Sequence, residues 1–231
     1  MPRRISYEFT LGAGAIWRYD LDFDHQNRLI PQRPPGSPRP WTNLEFAQCP
    51  HCPLHPADSP QCPVARNIDH IVEDSKETVS HTRTSVRVVT QERTYSKDCA
   101  TQEGLRSLFG LIMACSGCPH LDWLRPLARF HLPFADQDET LFRVLSLQFV
   151  ESFLSASTLN LTECTAVINQ RYGEVEKVNH AFIQRIRSYC RADADKNALA
   201  ALDLFAQFFA LHRDDNFDEL RKVFLSAGAK A

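Results

Sequence analysis

Residues 49–63 read Cys49-Pro50-His51-Cys52-Pro53-Leu54-His55-Pro56-Ala57-Asp58-Ser59-Pro60-Gln61-Cys62-Pro63, and this stretch sets how the chain is organised. It holds three of the four cysteines that a proline follows directly; the fourth is Cys118, ahead of Pro119. The other four cysteines, Cys99, Cys115, Cys164 and Cys190, lack that neighbour. In a thiolate turn the metal-bound sulfur accepts hydrogen bonds from backbone N–H groups two and three residues further on. A proline directly after the cysteine therefore removes no needed donor, and its fixed φ starts the turn. A close pair in Cys49-Pro50-His51-Cys52, a third ligand soon after and a fourth far along the chain fit a tetrahedral site that ties distant segments together. The expected ligands are Cys49, Cys52, Cys62 and Cys118. His51, His55 and His120 are near enough in sequence to replace one sulfur. Cys115 could also pair with Cys118 through Cys115-Ser116-Gly117-Cys118. Cys118 is preferred, because Gly117 stands where a helix would end and leaves Cys118 in the turn beyond it.

Four thiolates suit zinc, and they also suit an iron–sulfur cluster, whose ligand runs use Cys-Pro steps as well. Zinc is favoured because the compact multi-cysteine run of a ferredoxin is missing. A hydrolytic zinc using His120 or His131 with an open coordination position ranks below both, since catalytic zinc seldom carries four thiolates.

Working outward from this segment, the N-terminal side reads as strands. Ile5, Tyr7, Phe9 and Leu11 alternate with polar residues. After Gly12-Ala13-Gly14, the residues Trp17, Tyr19, Leu21 and Phe23 do the same, with Ile16 out of phase. A β-hairpin follows, with Arg18, Asp20, Asp22 and Asp24 on its solvated side. Residues 31–40 hold five prolines and form an extended connector.

On the C-terminal side a short helix is expected over Val64 to Glu73, with Ile68, Ile71 and Val72 inward. Val86, Val88 and Val89 lead through residues 91–95 as a third strand. A long helix then runs from a cap at Asp98 through Leu105, Leu108, Phe109 and Ile112, where Gly104 and Gly110 allow close approach. The thiolate site would fix the start of the short helix against the end of the long one.

Leu132 precedes a proline, so Phe130-His131-Leu132-Pro133 is extended, and His131 reads as a histidine bonded to the backbone more readily than as a catalytic base. Arg125, Arg129 and Arg143 are weak candidates for an anion site. Asp136-Gln137-Asp138-Glu139 has the spacing of a capping box, and Leu141, Leu145, Phe149 and Phe153 line the helix it opens. Asn160 caps a further helix that carries Val167 to Tyr189 and is kinked or split at Gly173. Two more follow, over Leu199–Phe209 and Leu220–Phe224. The phenylalanines Phe205, Phe208, Phe209, Phe217 and Phe224 make a core or a dimer seam.

A formal net charge of −2 and a pI near 6.5 argue against nucleic acid as the main partner. The N-terminus lacks a signal-peptide core, and no stretch approaches a membrane span, so a cytoplasmic chain with reduced cysteines is expected. There is no Gly-x-Ser-x-Gly elbow, phosphate loop or dinucleotide fingerprint. Glu176 and His180 have the wrong spacing for a di-iron carboxylate pair.

The strings Cys62-Pro63-Val64-Ala65, Ser116-Gly117-Cys118-Pro119 and Phe130-His131-Leu132-Pro133-Phe134-Ala135 resemble those of an uncharacterised family of bacterial proteins of unknown function. The resemblance covers about residues 5 to 155 and implies a bacterial cytosolic origin, with the helices after residue 160 as this chain's own extension. The expectation is thus an α+β fold. Its N-terminal antiparallel strands and thiolate site would occupy residues 1–135, and an antiparallel helical bundle residues 136–231. The expected role is a zinc-bearing scaffold or interaction protein, with an iron–sulfur redox or sensing protein as the alternative. Its partner would be another protein or a second copy engaged through the C-terminal helices.

Overall fold

Alternating apolar residues build the sheet that carries everything else. In the computed structural model, which describes residues 3–12, 14–31, 38–155, 161–189 and 222, β1 (Arg3–Leu11) and β2 (Ile16–Phe23) form the expected hairpin, Tyr7 opposite Tyr19. Ile5, Tyr7 and Phe9 of β1 and Tyr19, Leu21 and Phe23 of β2 are buried on one face. The other face carries the polar pairs Arg4–Asp22 and Ser6–Asp20. Its period of two places every second side chain on the helix-covered side.

The third strand, β3 (Arg83–Val89), pairs with β1 and buries Val86 and Val88. It does not run on through residue 95. At Thr90 the chain turns, with the Thr90 hydroxyl accepting from the N–H groups of Glu92 and Arg93, and returns as β4 (Thr94–Ala100). The sheet is therefore four-stranded and antiparallel in the order β2-β1-β3-β4. Asp98 lies within β4 opposite Ser85, so it does not cap the next helix; Ala100 takes that place.

Two helices cover the apolar face. One, α1 (Pro63–Ser75), starts at the proline after Cys62 and buries Val64, Ala65, Ile68, Ile71 and Val72. The other, α2 (Thr101–Cys115), follows β4 without a loop and buries Leu105, Leu108, Phe109 and Ile112. A Cβ on Gly104 would stand 2.6 Å from Phe9 Cε1 and 2.8 Å from Val86 Cγ2, so the lack of a side chain there lets α2 sit directly on the sheet. Gly117, at φ +88°, lies just beyond the helix end, as expected, and sends the chain into the Cys118 turn.

The short α3 (Arg125–Arg129) leads into α4 (Gln137–Ser155). The capping box at its start is reciprocal: Glu139 N–H donates to Asp136 Oδ1 and Asp136 N–H to Glu139 Oε2. Its buried face differs from the expected one. Leu141, Val144 and Gln148 are buried, while Phe153 is 70% exposed. Steps of four residues advance 400° on a 3.6-residue helix, so the line Leu141, Leu145, Phe149, Phe153 drifts about 120° off the core.

The last described helix, α5 (Leu161–Arg187), is unbroken through Gly173, where the expected split does not occur. Arg171 of α5 reaches Gln148 and Glu151 of α4. Further along, Phe182 and Tyr189 pack on Trp41, whose short 3-10 turn (Pro40–Thr42) precedes the cysteine segment. One continuous apolar core contains Ile5, Phe109, Leu141 and Ile186 alike. The fold is α+β. Residues 32–37 of the connector, the Asn160 cap and, apart from residue 222, the helices expected after residue 195 lie outside the described residues. No helix among the described residues is long and apolar enough to cross a membrane.

Candidate metal centre

The cysteine loop is held at its stem by backbone bonds. Leu44 N–H donates to Pro60 O and Cys62 N–H to Thr42 O, so residues 42–44 and 60–62 run side by side beneath the loop. Within it, Cys52 N–H donates to Cys49 O at 3.0 Å, closing the tight turn expected for Cys49-Pro50-His51-Cys52.

The four expected ligands are near enough to influence one another electrostatically, although their sulfurs are not gathered within the 4.8 Å that a shared ion needs. The charges of Cys62 and Cys52 act on Cys49, those of Cys62 and Cys49 on Cys118, and that of Cys52 on Cys62. Cys62 is the residue before α1, and the N–H groups of Val64 and Ala65 act on its sulfur in the direction that favours the thiolate. Those of His120 and Leu121 do the same at Cys118. These are the groups two and three residues on from each cysteine. At Cys62 they act as oriented dipoles and close no side-chain cap hydrogen bond. Burial works against them, pushing the thiol of Cys49 up to about 11 and that of Cys118 up to about 12.

Arg185 of α5 supplies the compensating charge. It is 2% exposed and donates from Nη1 to the carbonyls of Trp41 and Asn43, each at 2.6 Å, and from Nη2 to that of Leu44 at 3.1 Å. Its positive charge lowers the pKa of Cys49 and Cys62. A four-thiolate zinc carries two net negative charges, so a buried guanidinium beside it offsets part of that excess. Nothing near residue 185 in the sequence links it to cysteines more than a hundred positions earlier. For this reason the sequence missed it.

The alternative ligands separate clearly. Cys115, the last residue of α2, is buried away from the loop: its sulfur accepts from Asn27 Nδ2 at 3.6 Å, with Arg3 and Arg125 as its charged neighbours. His55 is exposed. His131 is engaged elsewhere, its Nε2 standing 2.6 Å from Tyr7 Oη, which also meets Ser107 Oγ at 2.8 Å. Burial, then Arg143 and Arg3, push this imidazole down to about 3. The three arginines do not converge on an anion site. Arg125 bonds Asp122 and Gln26 O, Arg143 bonds the carbonyls of Leu127 and Phe130, and Arg129 lies over the Phe130 ring.

His51 and His120 meet beside the loop, with ring centroids 4.0 Å apart. They adjoin Glu174 of α5, and donor atoms of the three side chains all lie within 4.8 Å of one another. Among the described residues, this is the set of potential ligand atoms gathered that closely, and it is not made of cysteines. The signal that could have found the histidines is the Cys-Pro-His triplet, present at both 49–51 and 118–120. Glu174 has no such signal.

No curated protein and no solved structure matches this chain. A family model does, and its match runs past residue 155 to residue 225, so the segment after residue 160 belongs to the family and is not an extension peculiar to this chain. The chain is a member of the family defined by a domain of unknown function, DUF6901, whose model matches residues 5–225.

Proposed function

We propose that this protein is a metal-bearing scaffold in which Cys49, Cys52, Cys62 and Cys118 hold one structural zinc ion, and whose helical part recognises a protein partner in a reducing cytoplasm. The observation that carries this reading is the pair of Cys-Pro turns at Cys62 and Cys118. At each, backbone N–H groups two and three residues on favour the thiolate, and the charge of Cys62 acts on Cys118 although 56 positions separate them. Zinc there would clamp the start of α1 to the turn after α2 and supply folding free energy directly, on the order of 10 kcal/mol in small zinc domains. The buried Arg185 offsets the charge.

The partner surface is assigned to the helices after residue 136, arranged as an antiparallel bundle and able to pair with a second copy of the chain. Supporting it, Phe153 and Leu154 near the end of α4 are exposed. The test is a Cys62→Ser variant. The proposal expects loss of zinc together with loss of the near-ultraviolet signal of the sheet-packed aromatics. Full metal content with an unaltered fold would overturn it, and iron with sulfide in the parent chain would make the same sulfurs a cluster site.

A further inference from the structure

We propose that His51, His120 and Glu174 form a second metal site, distinct from the four sulfurs, that takes one borderline divalent cation such as zinc, nickel or cobalt. The argument rests on how their donor atoms are disposed. His51 Nε2 lies 3.3 Å from Glu174 Oε2, and His120 Nδ1 lies 4.0 Å from the same oxygen. Two imidazole nitrogens and a carboxylate oxygen at mutual distances under 4.8 Å enclose a space that a cation bonded to each at about 2 Å would fill.

The outer contacts fix which atoms are free to bind. His120 Nε2 stands 2.8 Å from the His51 carbonyl oxygen, which can only accept, so that nitrogen carries the proton and donates. In the neutral ring, the form that binds metals, Nδ1 facing Glu174 keeps its lone pair. A histidine held through its other nitrogen by a backbone carbonyl is the usual support of a metal ligand. Glu174 divides its oxygens similarly: Oε1 accepts from Lys177 Nζ at 2.8 Å, and Oε2 faces the two rings. Both nitrogens of His51 are buried with no hydrogen-bond partner. Two imidazoles in ring contact, one of them without a hydrogen bond at either nitrogen, are a poor arrangement for burial alone. A cation satisfies it.

The choice of ion follows from the ligands. Imidazole nitrogen selects zinc, nickel, cobalt and copper over magnesium and calcium, which prefer oxygen. Three protein ligands leave at least one coordination position for water or a small anion, and the side chains are 17%, 21% and 34% exposed, so the position has a path to solvent. Lys177 is the nearest competing charge and weakens the site below a typical structural zinc. The site would also tie α5 to both Cys-Pro turns at once.

The test is a nickel titration of the full-length, untagged protein in its purified metal state, followed by calorimetry, with cobalt absorption as a second readout. The parent chain is expected to bind one equivalent with micromolar affinity and to show the weak bands of nitrogen and oxygen ligation without sulfur charge transfer. Glu174→Gln, which keeps shape and hydrogen bonding, should weaken binding at least tenfold. His120→Ala should abolish it, with the tightly held metal of the sulfur site unchanged in both. Equal binding in parent and both variants would show that other histidines carry it, and no binding in the parent would remove the site. Loss of the tightly held metal in Glu174→Gln would merge the two sites into one and also overturn the proposal. An absence of metal from the sulfurs in every chain would count against the scaffold reading alone, since the nickel titration stands on its own.

Discussion

Arg185 and Trp41 lie 144 positions apart and are joined by a buried hydrogen bond of 2.6 Å, from the Arg185 guanidinium to the Trp41 carbonyl. The same guanidinium bonds the carbonyls of Asn43 and Leu44, so one side chain on the last described helix fixes the stem of the cysteine loop. Replacing Arg185 with Met would leave three carbonyls without their donor and remove the cation beside the sulfurs. The expected loss is about 3–5 kcal/mol, read by urea denaturation of the metal-loaded protein, with Arg185→Lys intermediate. A change under about 1 kcal/mol would show that the loop is held without it.

Cys115 and Cys118 make a controlled pair. They stand three positions apart, yet one is buried beside Asn27 and the other feels the charges of Cys62 and Cys49. Cys118→Ser should lose the bound zinc, whereas Cys115→Ser should keep one ion per chain and lose only a modest amount of stability. Elemental analysis of the two variants side by side decides it; equal loss from both would put Cys115 among the ligands.

His131 gives the fold a pH dependence whose sign is fixed. Its pKa in the folded chain, about 3, lies below the ordinary value near 6.5, so the folded state holds the ring neutral. Above pH 6.5 both states are neutral and the contribution is complete. As pH falls below 6.5 the unfolded chain takes a proton that the folded chain refuses. Stability should therefore drop towards pH 3 with a slope of up to about 1.4 kcal/mol per pH unit. His131→Gln, which keeps a partner for Tyr7 Oη, should flatten this part of the profile in urea denaturation between pH 7 and pH 4. An unchanged slope would assign the dependence to other groups.

Two glycines should respond oppositely to alanine. Gly104→Ala drives a methyl group against Phe9 and Val86 at under 3 Å and should cost about 1–3 kcal/mol. Gly173 sits within α5 with nothing inside 4 Å of its added Cβ, so Gly173→Ala should stabilise by up to about 1 kcal/mol. Thermal melts of both variants check the pair, and a destabilising Gly173→Ala would mean that the helix needs its glycine.

These cases show where the sequence was legible. The alternation in Ile5, Tyr7 and Phe9 is strong because one face of β1 is wholly buried, and the end of α2 was readable because Gly117 adopts a φ that other residues avoid. β4 was lost because it is an edge strand with a single buried side chain, Cys99, so its residues carry no period of two. Gly173 misled because a glycine in open space weakens a helix without ending it, and tertiary packing of α5 outweighs that weakness. At the site, the Cys-Pro repeats pointed to four residues that lie in electrostatic reach of one another, since local turn chemistry is written locally. Arg185 and Glu174 were invisible. Their roles depend on where α5 lands, which no spacing in the chain encodes.

The most direct measurement is metal analysis, with an absorption spectrum, of anaerobically purified protein after removal of weakly held ions by a mild chelator. The account predicts one zinc per chain and no visible absorption. A folded chain without metal would contradict it, and iron with acid-labile sulfide and a brown absorption would hand the four cysteines to a cluster instead.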